Sequence, residues 1–406
     1  MNRRLLTVLS LAVILGWQVT AAIATQPGLA KPFADDGVPL DVGRPSGSSY
    51  TMLAAGIQPG ADHIVSDQCP NGGFGWSPHG DCTATANNIT APICLGLLGA
   101  HVLTGDADHL NAAVAGGGYD LTSVYGNGEF RFGAFAPYFL WKLSLASGNP
   151  AFSNHAATKF FDELSAATYG PSDLDTAGWI AAVQAARAGA YVNLRPWEFH
   201  LLPSAATAIG NAGQSGLFQQ GVLDGLNTLD INQWWDLLGL AGGVRGLALS
   251  GTTSFPAIVS PNFPGINGIN NLKDLADKLA SYQNPDGSWY WGSNIGGPIL
   301  SDEDTQTTAY AVLALVAADS LVASDYSAAV QNARFWLFSM QTVSGGFLSY
   351  PGGDQNTEVE GEALSAVSAS GWIPVPTVSE WGLVVLTALG ATIGALFFSR
   401  KRLARS

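Results

Sequence analysis

Residues Leu279–Leu315 read LASYQNPDGSWYWGSNIGGPILSDEDTQTTAYAVLAL, and this stretch decides the fold. A helix end leads to Gln283. A glycine-rich turn with Trp289 and Trp291 follows. The acidic run Asp302, Glu303 and Asp304 then opens a second apolar helix. The unit recurs around Gln341, with Gly345 and Phe347, and around Gln68, with Gly72 and Phe74. In every copy Gly stands four residues after Gln, and an aromatic stands six after it. At a helix end, a Gln amide can satisfy backbone groups that the helix leaves open. Gly lets the chain turn away with positive φ, and the aromatic covers the turn. These residue types therefore have a structural role available before any ligand is invoked.

Gln283 and Gln341 are 58 residues apart, and Gln68 and Gln283 are 215 apart, close to four such units. Residues 50–371 then hold about six helical hairpins, repeats of one supersecondary unit. Apolar helical periodicity dominates and strand alternation is nearly absent. Helices are expected at 50–61, 89–103, 133–145, 152–167, 175–190, 197–209, 216–226, 231–249 and 269–282. The fold class is all-α. Six hairpins closing into a ring would bury one face of each helix around an axial cavity.

The segments LASYQNPDGSW and LFSMQTVSGGF resemble the QW-type repeats of the terpenoid cyclase and prenyltransferase superfamily, and DTQTTAYAVLALVA resembles their inner-helix half. The resemblance covers residues 270–370 well and 60–105 fairly, and it is degenerate over 106–260. It implies an (α/α)6 toroid. That scaffold serves cyclases, transferases, polysaccharide lyases and non-catalytic modules, so chemistry has to come from the site.

The chain has 406 residues, a net charge of −14 and 47% hydrophobic residues, enough for a large core. An acidic chain lacks the basic footprint that nucleic acid demands. Residues 1–24 read as a signal peptide: Arg3 and Arg4, an apolar run from Leu5 to Val19, and Ala22-Ile23-Ala24 before the cut. Residues 25–49 read as a linker. Of three cysteines, Cys69 and Cys82 are the candidate disulfide in an exported chain, although spacing alone does not fix the pairing. Residues 372–406 contain VPTVSEWG, an apolar span over 383–398 and a basic end with Arg400, Lys401, Arg402 and Arg405. Their order resembles IPTLSEWG-type bacterial sorting signals. That resemblance implies export to the cell envelope or surface and an envelope sorting peptidase as partner. The apolar span is just long enough to cross about 30 Å of hydrocarbon, so a permanent membrane anchor is the alternative.

Three groups are candidates for chemistry. Asp302, Glu303 and Asp304 sit where an inner helix begins. There a carboxylate caps the helix or, buried and neutral, serves as a proton donor. The superfamily resemblance implies the latter through an Asp-x-Asp-Asp-Thr-Ala motif, but Thr305 stands at its last Asp. Arg187, Tyr191 and His200, near Asn193, Arg195 and Glu198, combine a cation with proton-transfer groups, as a uronate-cleaving lyase needs. They also suit a polar helix connection. Trp76, Trp289, Tyr290 and Trp291 occupy turns, where aromatics stack on sugars or apolar ligands, or plug the turn. Asp354, Glu358, Glu360 and Glu362 offer oxygen ligands for Ca²⁺, but no EF-hand pattern accompanies them. No cofactor is expected, and no residue is assigned to a metal. The ligand expected is an extracellular glycan or a small apolar molecule. The first reading is a recognition or structural module, with a carbohydrate-active lyase or hydrolase next and a terpenoid cyclase relative third.

Overall fold

The computed structural model describes residues 48–78, 82, 85, 87–123, 135–158, 200–210, 212–231, 236–292, 303–322 and 324–369. The expected leader over 1–24 and the span over 383–398 lie outside them. The described residues form helices α1 (Ser48–Asp67), α2 (Asn87–Thr104), α3 (Ala107–Ser123), α4 (Phe135–Ser147), α5 (Pro150–His155) and α6 (Leu202–Ala208). They continue with α7 (Ala212–Asn227), α8 (Asp236–Leu249), α9 (Leu272–Ala280), α10 (Thr305–Asp319), α11 (Ser327–Ser339) and α12 (Thr357–Ser368). Among the described residues there is no strand, only isolated bridges.

The even-numbered helices pack side by side in the order α2, α4, α6, α8, α10, α12 and back to α2. The odd-numbered helices lie outside; α1, α3, α7, α9 and α11 each pack on two consecutive inner helices. This is the (α/α)6 toroid. Sequence chemistry sorts the two layers. In α10 every residue from Thr305 to Ala318 except Gln306 is buried, as suits a helix enclosed on all sides. By contrast α9, LKDLADKLA, buries only Leu272, Leu275, Ala276 and Leu279. Asn271 caps α9 and Asn356 caps α12, each accepting a backbone N–H in the first turn.

The three Gln copies do the same work. Gln68 Nε2 donates to Gly72 O and to Ala112 O of α3, both at 2.8 Å. Gln283 Nε2 donates to Gly287 O at 3.0 Å and to Ala329 O of α11 at 2.8 Å. Gln341 Nε2 donates to Gly345 O at 2.9 Å and to Gly56 O of α1 at 3.0 Å. Each amide thus ties its own turn to the next outer helix, and the last one closes the ring. Gly72, Gly287 and Gly345 have φ of 87°, 102° and 102°. A Cβ on any of them would strike the backbone of that neighbouring helix, at Ala115, Asn332 and Pro59 respectively. Phe74, Trp289 and Phe347 are all fully buried beneath their turns.

The inner ring closes through glycine too. A Cβ on Gly96 in α2 would meet Gly361 O in α12, and one on Gly361 would meet Ile93. Cys69 and Cys82 form a disulfide across the first turn, and Cys94 is a free, buried thiol. Arg334 of α11 is buried and donates to the carbonyls of Ala366 and Ala369 at the end of α12.

The helices differ from expectation at two places. The first helix runs to Asp67, with Pro59 inside it, and does not stop at Ala61. No helix was expected over 107–123, which contains Gly116-Gly117-Gly118. The glycines are packing points: a Cβ on Gly116 would strike Cys94 and one on Gly117 would strike Leu143. No described helix is long and apolar enough to cross a membrane, and the expected span over 383–398 lies outside the described residues.

Gln341→Ala removes two bonds to backbone carbonyls from a half-buried turn. The expected loss is about 2 kcal/mol of unfolding free energy, and Gln283→Ala should cost a similar amount. Urea denaturation of the two variants checks both values.

Candidate functional site

Every inner helix begins at the end of the ring that carries the Gln turns, so side chains from the N-terminal halves of several inner helices converge toward it. Phe135 opens α4 and Tyr310 lies in the second turn of α10. These helices face each other across the ring. Their aromatic rings nevertheless approach to 6.3 Å between centroids, which places both on the axis. His200, just before α6, stands between them, 5.3 Å from Phe135 and 5.6 Å from Tyr310. Gly246 of α8 allows this, since a Cβ there would crowd the His200 backbone. Arg245, the residue before it, reaches His200 Nε2 with Nη1 at 3.3 Å.

Helix α12 contributes Glu358 and Glu362, one turn apart on the same face. Gln306 of α10 donates Nε2 to Glu362 Oε2 at 2.8 Å. The Tyr310 hydroxyl interacts with the same carboxylate. Burial first, and then the Glu358 charge, push Glu362 well above the usual carboxylate range. Burial likewise raises Glu358 to about 7. Tyr310 is raised by burial, then by Glu362 and Glu358, so its proton is firmly held. Exposure falls from half-buried Glu358 to Glu362 and Tyr310, each 2% exposed, and His200 at 0%. The group therefore has an outer acid and an inner store of proton-holding and cationic groups.

Asp304 caps α10: Oδ2 accepts from Thr307 N and Thr307 Oγ1, both at 2.6 Å. It is buried, and burial raises it to about 6 against the pull of those bonds. Glu303 is half-buried and pairs through its backbone with Tyr290. Asp302, Arg187, Tyr191, Asn193, Arg195 and Glu198 lie outside the described residues, so of its cluster only His200 is placed, on the axis. Trp289 corrects the expectation of an exposed turn aromatic, because it is fully buried and donates Nε1 to Leu279 O at 2.9 Å. Tyr290 and Trp291 are half-buried. Trp76 is 45% exposed, and its carbonyl accepts from Thr357 N at 3.3 Å, which sets it beside the start of α12. The four acids expected together separate: Asp354 is exposed, Glu358 and Glu362 turn toward α10, and Glu360 turns toward α1.

Sequence reasoning missed Phe135, Arg245, Gln306 and Tyr310. The available signal was polarity in the wrong place. A helix such as DLLGLAGGVRGLAL is buried on every side, so its Arg245 must be used inside.

The fold and this group define an α/α toroid with acids, a tyrosine and a cation gathered on its axis. Residues 373–405 match the family model described as the IPTL-CTERM motif, a C-terminal sorting signal that supports export and association with the cell surface. No curated protein matches the sequence. Similar solved structures include a glycosyl hydrolase family 88 protein from Bacteroides vulgatus, with a TM-score of 0.49 at 12% identity, covering 80% of this chain and 99% of that one. A protein from Salmonella enterica described as a possible member of the GH105 family has a TM-score of 0.48 at 13% identity, covering 82% and 98%. An α-1,6-mannanase from Salegentibacter has a TM-score of 0.45 at 11% identity, covering 79% and 99%. The terpenoid cyclase likeness of the repeats is not reproduced among these structures.

Asp304 gives a pH signature. Its folded value of about 6 lies above the 3.8 of an ordinary Asp, so the fold favours the neutral form. That contribution is fully present below about pH 3.8 and lost as pH rises through about 6. It amounts to about 3 kcal/mol. Asp304→Asn keeps a good cap and removes the titration. Thermal denaturation from pH 4 to about 7 should show a shallower decline in Tm for this variant than for the parent chain.

Proposed function

We propose that this protein is an exported, surface-associated toroid that binds an acidic glycan at the mouth where its inner helices begin and transfers a proton to or from it there. One observation carries the reading: Glu358, Glu362, Tyr310, Arg245 and His200 converge from the starts and inner faces of α6, α8, α10 and α12. In this reading Trp76 supplies a stacking surface at the rim. Glu358, the acid nearest solvent, exchanges the proton at the glycosidic bond. Arg245, beside His200, answers the charge of a uronate. Glu362 and Tyr310 hold the acid in place through Gln306 and each other. The sorting motif supports this setting, since a sorting peptidase would process the tail and leave the toroid outside the cell.

A second reading, recognition without turnover, draws on the depth of the group, since Glu362, Tyr310, Arg245 and His200 are at most 4% exposed.

The test is to incubate the full chain with acidic and neutral polysaccharides and follow binding, new reducing ends and unsaturated uronate products. Turnover of an acidic glycan is expected to fall about 100-fold in Glu358→Gln with binding retained. Arg245→Met should lose the preference for acidic over neutral glycans. Binding that depends on Trp76 but yields no product would establish the recognition module. Neither binding nor turnover with any glycan would overturn both readings.

A further inference from the structure

The three Gln turns are built in one register, and one of their interfaces departs from the others. Beneath each turn the buried aromatic's backbone N–H donates to an inner-helix side chain. Phe74 N donates to Thr90 Oγ1 at 3.3 Å and Trp289 N to Thr308 Oγ1 at 2.9 Å. In the third copy Phe347 N donates to Glu360 Oε1 at 3.2 Å. Across each interface the next outer helix offers Ala115, Asn332 or Pro59 to the turn glycine. One helical turn beyond these stand buried Tyr119, buried Trp336 and, in the third copy, His63. A further turn brings Ser123, Met340 and Asp67. Two copies therefore carry an aromatic and a threonine at these positions, and in the third a histidine pairs with an aspartate and a glutamate.

Thr does the hydrogen-bonding work of this position twice, so the backbone of the turn does not call for a carboxylate. Glu360 is fully buried, and its Oε2 has no hydrogen-bond partner, which is costly unless something else answers it. His63 and Asp67, 6% and 5% exposed, present one face of α1 to it. His63 Nε2 lies 3.5 Å from Asp67 Oδ2 and 3.5 Å from Glu360 Oε1. Gln355 Nε2 lies 2.9 Å from Glu360 Oε1 and 3.5 Å from His63 Nε2. Three of these side chains meet at Gly346, where a Cβ would collide with Gln355, Glu360 and His63.

We infer that His63, Asp67 and Glu360 form a binding site for a divalent transition-metal ion of the zinc type, clamping α1 to α12 where the ring closes. Zinc holds imidazole and carboxylate ligands at about 2.0–2.2 Å, so the edges of its tetrahedron are about 3.4 Å. The two 3.5 Å separations match that spacing. A neutral imidazole and two carboxylates balance a dipositive ion, which removes the expense of two buried like charges. A half-turn of the Gln355 amide would present its carbonyl oxygen as a fourth ligand. The set is closed and buried, as a structural rather than a catalytic site is. It is separate from the axial group, because Glu360 faces outward to α1 while Glu358 and Glu362 face α10.

The test uses the full chain, stripped with chelator and then dialysed against Zn²⁺, Ca²⁺ or buffer. One equivalent of zinc per chain is expected by elemental analysis. At about 100 times Kd, Zn²⁺ should raise Tm by about 4 °C. Co²⁺ should bind in its place with the visible absorption of a tetrahedral N/O site. Glu360→Thr restores the residue that the other two copies use, so it should fold and lose both the metal and the Zn²⁺ response. His63→Ala should lose them as well. Zinc retained undiminished in Glu360→Thr would place it elsewhere and overturn the site. No zinc at all, or stabilisation by Ca²⁺ with none by Zn²⁺, would overturn it equally.

Discussion

The toroid depends on one amide reaching two carbonyls. In each Gln turn the side-chain N–H pair is divided between the Gly carbonyl of its own turn and a backbone carbonyl of the next outer helix. Helices packed by apolar faces alone slide and rotate at little cost, because hydrophobic contact is not directional. A hydrogen bond to a fixed carbonyl sets a register. The turn glycine strengthens that register by excluding a Cβ where the neighbour's backbone passes. The device sets the angle between the first and second hairpins and between the fifth and sixth, and Gln341 ties the sixth back to α1.

That register explains why the chemical groups meet. Inner helices that run the same way round the ring bring side chains near their starts together, and those of opposed helices touch at the axis, as Phe135 of α4 and Tyr310 in the second turn of α10 do. The interior is mostly apolar, so a charged group there is favoured when another polar residue answers it and otherwise has its ionisation shifted. Glu362 illustrates both: Gln306 and Tyr310 answer it, and burial together with Glu358 holds its proton. The same rule gives Asp304 two characters at once. It is a helix cap by geometry and a neutral-leaning acid by burial.

Much of the ring was legible because its repeat is written in residues with narrow physical roles. Gln68, Gln283 and Gln341 fall in the first, fifth and sixth hairpins, as their spacing required. Helix α3 was illegible because glycine has two uses, breaking a helix and letting a neighbour approach it, and only the neighbour decides between them. The axial group was half legible. His200 and Asp304 stood out as polar residues in sparse surroundings. Glu358, Glu360 and Glu362 were noted only as oxygen donors that Ca²⁺ could use, although a helical period of 3.6 puts Glu360 on a different face. Tyr310 and Arg245 were hidden inside apolar helices. Trp289 misled because its neighbours in sequence are turn residues, while its neighbours in space are the core.

The bond from Gln341 to Gly56 spans 285 residues. A contact so distant along the chain forms late, because the intervening loop must be ordered before it rewards closure. For a polypeptide that leaves the cell in N-to-C order, α1 emerges long before its partner in the final hairpin. Until then α1 exposes the face that α11 and α12 will cover, and the circle stays open. The sorting motif begins at residue 373, just past α12. In the chain, therefore, every residue the toroid needs to shut precedes that motif.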